Sequence, residues 1–180
     1  TLDHMRLHAF IDRLRPTERF PALRAIAYAP RVAPGDLAAF EARTARMLAA
    51  VGHADDYAVW PGGGRPFHLP AMLVHPVEGN GNVFGHDLMG NATRAAALAR
   101  ALENGEEMIA SGPVVLSQDR ETGSPGSLVM RLIYRDGMAT DTSEARRAAL
   151  KGVVPAGVTV ERTFAAMADH NMVEHPNAHQ

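Results

Sequence analysis

Cysteine is absent from the 180-residue sequence, which excludes a disulfide framework and any site that depends on a thiolate. Apolar runs are short, and none approaches the roughly 18 residues that a transmembrane helix requires. Neither charge is in large excess: the net charge is −2 and the two signs are interspersed, so we expect no nucleic-acid partner. Because 46 % of the residues are apolar, the chain can still form a sizeable core, and we expect a globular protein.

Sequence motifs of catalytic and metal sites are also missing. The nucleophile elbow Gly-x-Ser-x-Gly, the dinucleotide fingerprint and the P-loop do not occur, and Gly62-Gly63-Gly64 lacks the Lys-Ser/Thr that would make it a phosphate loop. His4 and His8, like His175 and His179, have a spacing that suits zinc, but neither pair has a third ligand nearby. We therefore predict no catalytic residue, no cofactor and no metal site. A small-molecule hydrolase is the least favoured alternative.

Apolar periodicity predicts several amphipathic helices. They cover residues 2–15, 34–49, 91–102 and 144–150, with a last helix near 162–168. Pro16 should end the first helix, and Asn91 and Gly105 have the residue types of an N-cap and a C′ position. Asp141 or Ser143 could cap the helix at 144–150.

Shorter apolar runs bounded by turn residues predict strands. They cover residues 71–77, 83–85, 108–117, 127–134 and 153–160. Asn80-Gly81 favours a tight turn that would make 71–88 a hairpin, and the polar stretch 119–126 predicts a loop. Helices beside antiparallel hairpins predict an α+β fold with helices packed on one sheet.

Two charged residues interrupt these apolar patterns. Asp87 ends the second run of the hairpin just before helical periodicity resumes, so it is a helix cap, an ion-pair partner of Arg94 or a ligand anchor. Arg131 follows Met130 in a predicted strand, so the two side chains point to opposite faces of the sheet. If Arg131 points inward it must be paired, with Asp87 or with an anionic ligand, because an unpaired buried guanidinium is too costly. The alternative is an exposed arginine on an edge strand.

Short motifs in a fixed order identify a resemblance. The first are Phe20-Pro21, Ala29-Pro30-Arg31-Val32, His75-Pro76-Val77, Asn80 and Gly85-His86-Asp87-Leu88. Further matches follow at Arg94, Ala97-Leu98, Glu103-Asn104-Gly105, the run from Gly112 to Gln118, Arg146-Arg147 and Gly152-Val153-Val154. Through these motifs the chain resembles the CHASE family, the extracytoplasmic sensory module of receptor histidine kinases and cyclases.

The resemblance implies an organisation of the chain. Residues 1–16 would be a stalk helix, 17–150 a distal PAS-like ligand-sensing lobe, and 151–180 the start of a proximal PAS-like lobe with a frayed tail. CHASE domains normally sit between two transmembrane helices, so we expect a periplasmic or extracellular fragment whose membrane anchors lie outside the given sequence. A homodimer that signals through its stalk helices is also implied.

The resemblance also implies ligand contacts. Asp87 stands where plant members bind the adenine ring of cytokinins, and Ala110 falls on a position that contributes backbone contacts. Met72, Phe84 and Met130 are expected to line the same pocket. Arg131 replaces a family phenylalanine, so we expect either a cytokinin-like adenine derivative or, preferably, a small amphoteric acid. The alternative is a structural dimerisation module whose pocket is filled by its own side chains.

Overall fold

The computed structural model describes residues 4–53, 56–116 and 125–159. Its main feature is an antiparallel sheet of six strands. The strands are β1 (Leu23–Pro30), β2 (Leu73–His75), β3 (Met108–Ala110), β4 (Val114–Val115), β5 (Pro125–Tyr134) and β6 (Leu150–Thr159). Their order is β2-β1-β6-β5-β3, and β4 pairs with the beginning of β5. Together with the helices, this sheet confirms the predicted α+β class.

Except for a short helix that begins at Pro16, which was not predicted, the described helices agree closely with the periodicity of the sequence. They are α1 (His4–Leu14), α2 (Pro16–Arg19), α3 (Leu37–Ala49), α4 (Ala92–Asn104) and α5 (Ser143–Ala149). The side chain of Asn91 accepts the first-turn amide of α4, and Gly105 ends that helix in the left-handed conformation, so both predicted caps are confirmed. The cap of α5 is Thr142, which accepts from the amide of Ala145; neither predicted cap is used.

The hairpin predicted over 71–88 is wrong. β2 pairs with β1, and residues Gly81–Val83 form a 3₁₀ turn where the second strand was expected to begin. Asn80 has a φ of −124°, so it lacks the positive φ that a tight Asn-Gly turn requires. Its side-chain amide donates to the carbonyl oxygens of Pro76 and Glu78, and these bonds fold the loop back on itself.

The last described strand, β6, lies at the centre of the sheet between β1 and β5. Residues 151–159 therefore belong to the same sheet as the strands of the predicted distal lobe, and the boundary predicted after residue 150 falls at the start of its central strand. The predicted helix near 162–168 and the tail lie outside the described residues.

The two faces of the sheet are covered differently. The inner face carries the main core, in which Met130 and Leu132 of β5 pack with Leu98 and Leu102 of α4. On the outer face lies α1, where Ile11 is buried, and a groove of about 900 Å³ runs between this helix and the sheet. Within the described residues, no helix has both the length and the apolar character needed to cross a membrane.

Candidate ligand-binding site

Asp87 is fully buried, and the protein itself supplies its hydrogen-bond donors. Its Oδ1 accepts from the backbone amides of Leu69 (2.9 Å) and Met89 (3.1 Å). Its Oδ2 lies 2.8 Å from Nδ1 of His68 and 3.3 Å from Nη1 of Arg65. A carboxylate offers about four lone-pair positions, so these four contacts use its acceptor capacity.

These bonds join two segments of the chain, residues 65–69 and 87–89. The amide of Met89 makes Asp87 the N-cap of a 3₁₀ turn at Leu88–Gly90, so the cap interpretation is confirmed. The ion pair is formed with Arg65, whereas Arg94 contacts His86. The hypothesis that Asp87 anchors a ligand therefore lacks an acceptor position to support it.

Gly85 brings the Gly-His-Asp-Leu motif into close contact with residues 58–60. Its φ is +73°, and a Cβ built on it would collide with the carbonyl oxygen of Ala58. Its amide donates to the carbonyl of Ala71, and its carbonyl accepts from the amide of Trp60, both at 2.9 Å. Only glycine fits this backbone without strain.

Tyr57 donates a further hydrogen bond to Ala71, whose carbonyl oxygen also accepts from Gly85. Its buried hydroxyl donates to the carbonyl oxygen of Ala71 over 3.1 Å. Burial raises the pKa of the Tyr57 phenol, and the negative charges of Glu41 and Asp87 raise it further. The hydroxyl therefore remains a protonated donor.

A stack formed by the half-buried Trp60 and the buried His86 and Arg94 lies beside this region. The indole of Trp60 and the imidazole of His86 are nearly parallel, with ring centroids 4.4 Å apart. Nη1 of Arg94 lies 3.1 Å from Nε2 and 3.4 Å from Nδ1 of the same imidazole. An in-plane approach to both nitrogens would bring Nη1 into the Cε1 atom between them, so the guanidinium lies over the face of the ring.

The stack borders a small cavity between the inner face of the sheet and the parts of the chain that lie over it, residues 83–88 and α4, which we call the cover. The cavity measures about 40 Å³. Small residues of the sheet form its floor, namely Ala25, Ala27 and Gly157. Apolar residues form most of the remaining wall, namely Ala71, Val83, Leu88, Leu116, Leu128 and Pro155. Among the described residues that line the cavity, only His86 and Arg94 have polar side chains, and both are buried.

Arg131 lies outside this cavity. Its Nη2 is 2.9 Å from the Glu107 carboxylate, and about half of its side chain is exposed. Strand alternation explains this position, because Met130 and Leu132 occupy the inner face and turn Arg131 to the other side. Of the two orientations considered for Arg131, the structure therefore shows the exposed one, in a surface ion pair with Glu107 instead of Asp87, although its strand lies between β6 and β3 and is not an edge strand.

The other predicted contacts are not gathered in one pocket. Met130 is buried in the main core, whereas Ala110 is exposed on the edge strand β3. Met72 and Phe84 pack against a separate cluster with Phe40 and Tyr57. Phe84 also borders a cleft of about 290 Å³ beside α3, distinct from the interior cavity.

The sequence analysis did not identify Arg65 or His68 as residues of this region, and it did not predict that Arg94 is buried. Arg94 did carry a signal, since it is in phase with Ala97, Leu98 and Ala101 on the buried stripe of α4. A charged residue in such a stripe must find a polar environment. Arg65 and His68 show no comparable pattern. In the described residues, no group of three or more side chains of the metal-binding types is placed to hold a metal ion.

Comparison with known proteins assigns the chain to a family. A family model described as the CHASE domain matches residues 1–178. A search of curated proteins gives no match. Since the family match spans nearly the whole sequence, the chain belongs to the CHASE domain family, a family of extracellular sensory domains of receptors.

Proposed function

We propose that this domain is the ligand-sensing part of a transmembrane receptor of the sensor histidine kinase or diguanylate cyclase type. In this proposal the domain is periplasmic or extracellular, and membrane anchors outside the given sequence connect it to the output domain. Family membership supports the sensory role. The antiparallel sheet of the described residues, with its inner face under the cover, supports a PAS-like lobe.

The observation that carries the proposal is the interior cavity with Arg94 and His86 in its wall. A core optimised only for stability would fill such a space with apolar side chains, because burying a guanidinium costs several kcal/mol even after relaxation. Positions that break this rule are expected at functional sites. We therefore propose that the ligand lies between the floor of the sheet and the cover, beside His86 and Arg94.

A connection from this cavity to α1 runs through β1. Ala25 and Ala27 line the cavity, and Ala27 also lines the groove beneath α1 together with its neighbours Ile26 and Tyr28. A ligand that shifts β1 would therefore change the support of α1. We propose that α1 is part of the stalk and carries this change toward the membrane.

A thermal-shift screen of small metabolites on the purified 180-residue chain tests the sensory site. We expect at least one compound to raise the melting temperature, and we expect Gly157→Ala to remove that shift. The added methyl would enter the cavity with no atom closer than 3.5 Å, so the fold should tolerate it. Gly81→Ala is the matched control, because a methyl added at Gly81 would have no neighbour within 4 Å and the residue has no left-handed φ. If no compound shifts the wild type, or if Gly157→Ala leaves every shift intact, the proposed site is rejected.

The competing function is a dimerisation module without a ligand. It is favoured by the small size of the cavity, about 40 Å³. The side chain of Leu116 already occupies part of the space above Gly157. Binding sites for drug-sized ligands usually occupy about 300–1,000 Å³. The screen separates the two functions, because a pure dimerisation module would show no shift with any compound.

Homodimerisation through α1 is a further part of the proposal. Phe10 and Leu14 are 60 % and 45 % exposed, which is unusual for large apolar side chains on one short helix. We expect Phe10→Glu combined with Leu14→Glu to shift a dimer to a folded monomer, as measured by sedimentation equilibrium. Arg13→Glu, also exposed, is the control on the same helix. An unchanged dimer in the double variant would contradict this interface. Ile11 is unsuitable for the test because it is buried against the sheet.

A further inference from the structure

We propose that the groove between α1 and the outer face of the sheet binds a free fatty acid of medium chain length, with its carboxylate beside Lys151. This groove lies beneath α1, whereas the interior cavity lies beneath the cover. The inference therefore goes beyond the proposed function and does not depend on it. It gives the domain a second ligand, of a chemical class that the family match does not specify.

The groove has the size and the apolar character of a site for a hydrocarbon chain. Its volume of about 900 Å³ lies within the range of about 300–1,000 Å³ that is usual for the sites of drug-sized ligands. Ile26, Leu73 and Val154 line it from three neighbouring strands. Ile11 lines it from the helix that lies over them. A hydrocarbon chain in the groove would thus contact apolar side chains on two sides.

Lys151 supplies a positive charge to this lining. It is the only lysine of the chain, and it is exposed. Its backbone carbonyl accepts from the amide of Arg31 over 2.9 Å, which fixes the residue on the sheet. Within the described part of the chain, no hydrogen bond or ion pair engages its ammonium group. A ligand carboxylate can therefore pair with Lys151 without displacing a partner, and the exposed position keeps the desolvation cost of the pair small.

Tyr28 places a further hydrogen-bond donor near Lys151. A Cβ built on Gly152 would lie 3.2 Å from Cε2 of Tyr28, so the phenol ring lies against the residue that follows Lys151. Burial raises the pKa of the Tyr28 phenol, although the positive charge of Arg135 opposes the shift, so the hydroxyl is protonated at neutral pH. An ammonium group and a phenol O–H are both donors for a carboxylate.

An acidic residue marks the other side of the groove. Nε2 of His75, in the lining, lies 3.6 Å from Oδ1 of Asp12 on α1. His75 belongs to β2 and Lys151 to β6, and these strands are two spacings apart, or about 10 Å. Because the Asp12 carboxylate would repel a second carboxylate, we expect the head group at Lys151 and the hydrocarbon chain running toward β2.

A second copy of the chain is the competing occupant, since Phe10 and Leu14 belong both to the groove and to the proposed dimer interface. The size of the groove favours the fatty acid. A helix of 11 residues, the length of α1, is about 16 Å long and 10–12 Å wide, so it occupies more than about 1,300 Å³. The groove is smaller, so the α1 helix of a second copy could cover its rim but could not fill it.

Calorimetric titration of the purified 180-residue chain with hexanoate, octanoate and decanoate tests the inference. Each acid is kept below the concentration at which it forms micelles. We expect one molecule bound per chain, with an affinity that rises up to about fourfold for each added methylene, as burial of hydrocarbon predicts. 1-Octanol has the same chain as octanoate but no charge, and it should bind at least fivefold more weakly.

Chemical modification locates the head group. Because Lys151 is the only lysine, its acetylation by an amine-reactive reagent can be followed by peptide mass spectrometry. Saturating octanoate should slow this acetylation at least fivefold. An unchanged rate would show that the carboxylate does not lie beside Lys151, and it would overturn the inference.

Variants connect binding to the groove. Lys151→Met removes the charge, so it should weaken octanoate binding at least fivefold and leave 1-octanol binding unchanged. Arg100→Met is the matched control, because Arg100 is exposed on α4, which packs on the inner face of the sheet, and it should change neither. Val154→Phe should weaken both ligands, since the larger side chain would occupy the groove. If Val154→Phe fails to fold, Lys151→Met and the acetylation rate decide the question.

Gly157→Ala separates this inference from the proposed function. Its added methyl enters the interior cavity, so octanoate binding should remain intact. If the variant abolishes octanoate binding, the acid occupies the interior cavity; the present inference is then wrong and the proposed sensory site stands. Binding that does not saturate, equal effects of Lys151→Met and Arg100→Met, or no octanoate binding to the wild type would also overturn it. In the last case, a dimeric wild type would identify a second copy as the cover of the groove.

Discussion

Replacing Asp87 by alanine is expected to lower the free energy of unfolding by about 3–5 kcal/mol, the usual cost of breaking a buried charged pair. The substitution would leave Arg65 and the almost fully buried His68 without their carboxylate partner. It would also leave the amides of Leu69 and Met89 without their acceptor. Urea unfolding of the purified domain, followed by circular dichroism, measures the loss.

The exposed Asp136 provides a matched control for this experiment. Asp136→Ala should change stability by no more than about 0.5 kcal/mol. Asp87→Asn should fall between the two, because the amide keeps one acceptor oxygen but turns an N–H₂ group toward donors. A loss below about 1 kcal/mol for Asp87→Ala would show that these contacts do not hold the cover in place, and it would return Asp87 to consideration as a ligand anchor.

Gly85→Ala should be similarly damaging, at about 2–5 kcal/mol, because two penalties combine. The left-handed backbone costs an L-residue about 1–2 kcal/mol, and forcing atoms into packed space typically costs about 1–3 kcal/mol more. The obstructing atom is the backbone carbonyl oxygen of Ala58, which cannot rotate away as a side chain would.

Two other glycines separate these penalties. Gly105 shares the positive φ, but its methyl would approach only the side chain of Arg146, at 3.4 Å, which is an ordinary van der Waals distance. Gly105→Ala should therefore cost about 1–2 kcal/mol, from backbone strain alone. Gly81→Ala should be nearly neutral, since it has neither feature. Equal losses at Gly85 and Gly105 would mean that the loop carrying Ala58 yields easily.

Much of the fold was predictable because local chemistry determines it. Asn91 and Gly105 bracket α4, and each satisfies a helix terminus through its own side chain or backbone. By contrast, β1 escapes the apolar pattern because its inward positions are Ala25, Ala27 and Ala29, which carry little hydrophobic signal. The reason for these small residues is visible only in the structure, where Ala25 and Ala27 form the floor of the cavity.

The hairpin error has a related cause. Asn80-Gly81 has the composition of a tight turn, but Asn80 uses its side chain to bond nearby carbonyls. β2 then pairs with β1, a strand far earlier in the chain, so that His75 lies opposite Ile26. Such a pairing depends on tertiary structure, which the local pattern does not encode.

The candidate site was less predictable than the fold. The family resemblance directed attention to Asp87, and the structure does give it a central position, but with a structural set of partners. The two arginines differ in their environment: the strand arginine, Arg131, is exposed, and the helix arginine, Arg94, is buried. Strand alternation alone left the choice open for Arg131, whereas the helical stripe could have identified Arg94.

The central position of β6 has a consequence for how the chain folds. Its residues are the last of the described chain to be synthesised, yet β1 and β5 each need β6 as their neighbour. Until residue 159 has been added, β1 with β2 and β5 with β3 can exist only as separate ribbons, each with an open edge. The pairing of β1 with β6 joins segments that are far apart in the sequence, and closing the long stretch of chain between them before other contacts form makes folding slow. The open strand edges meanwhile can pair with other chains. A nascent chain of this domain should therefore depend on protection from aggregation until its final strand is inserted.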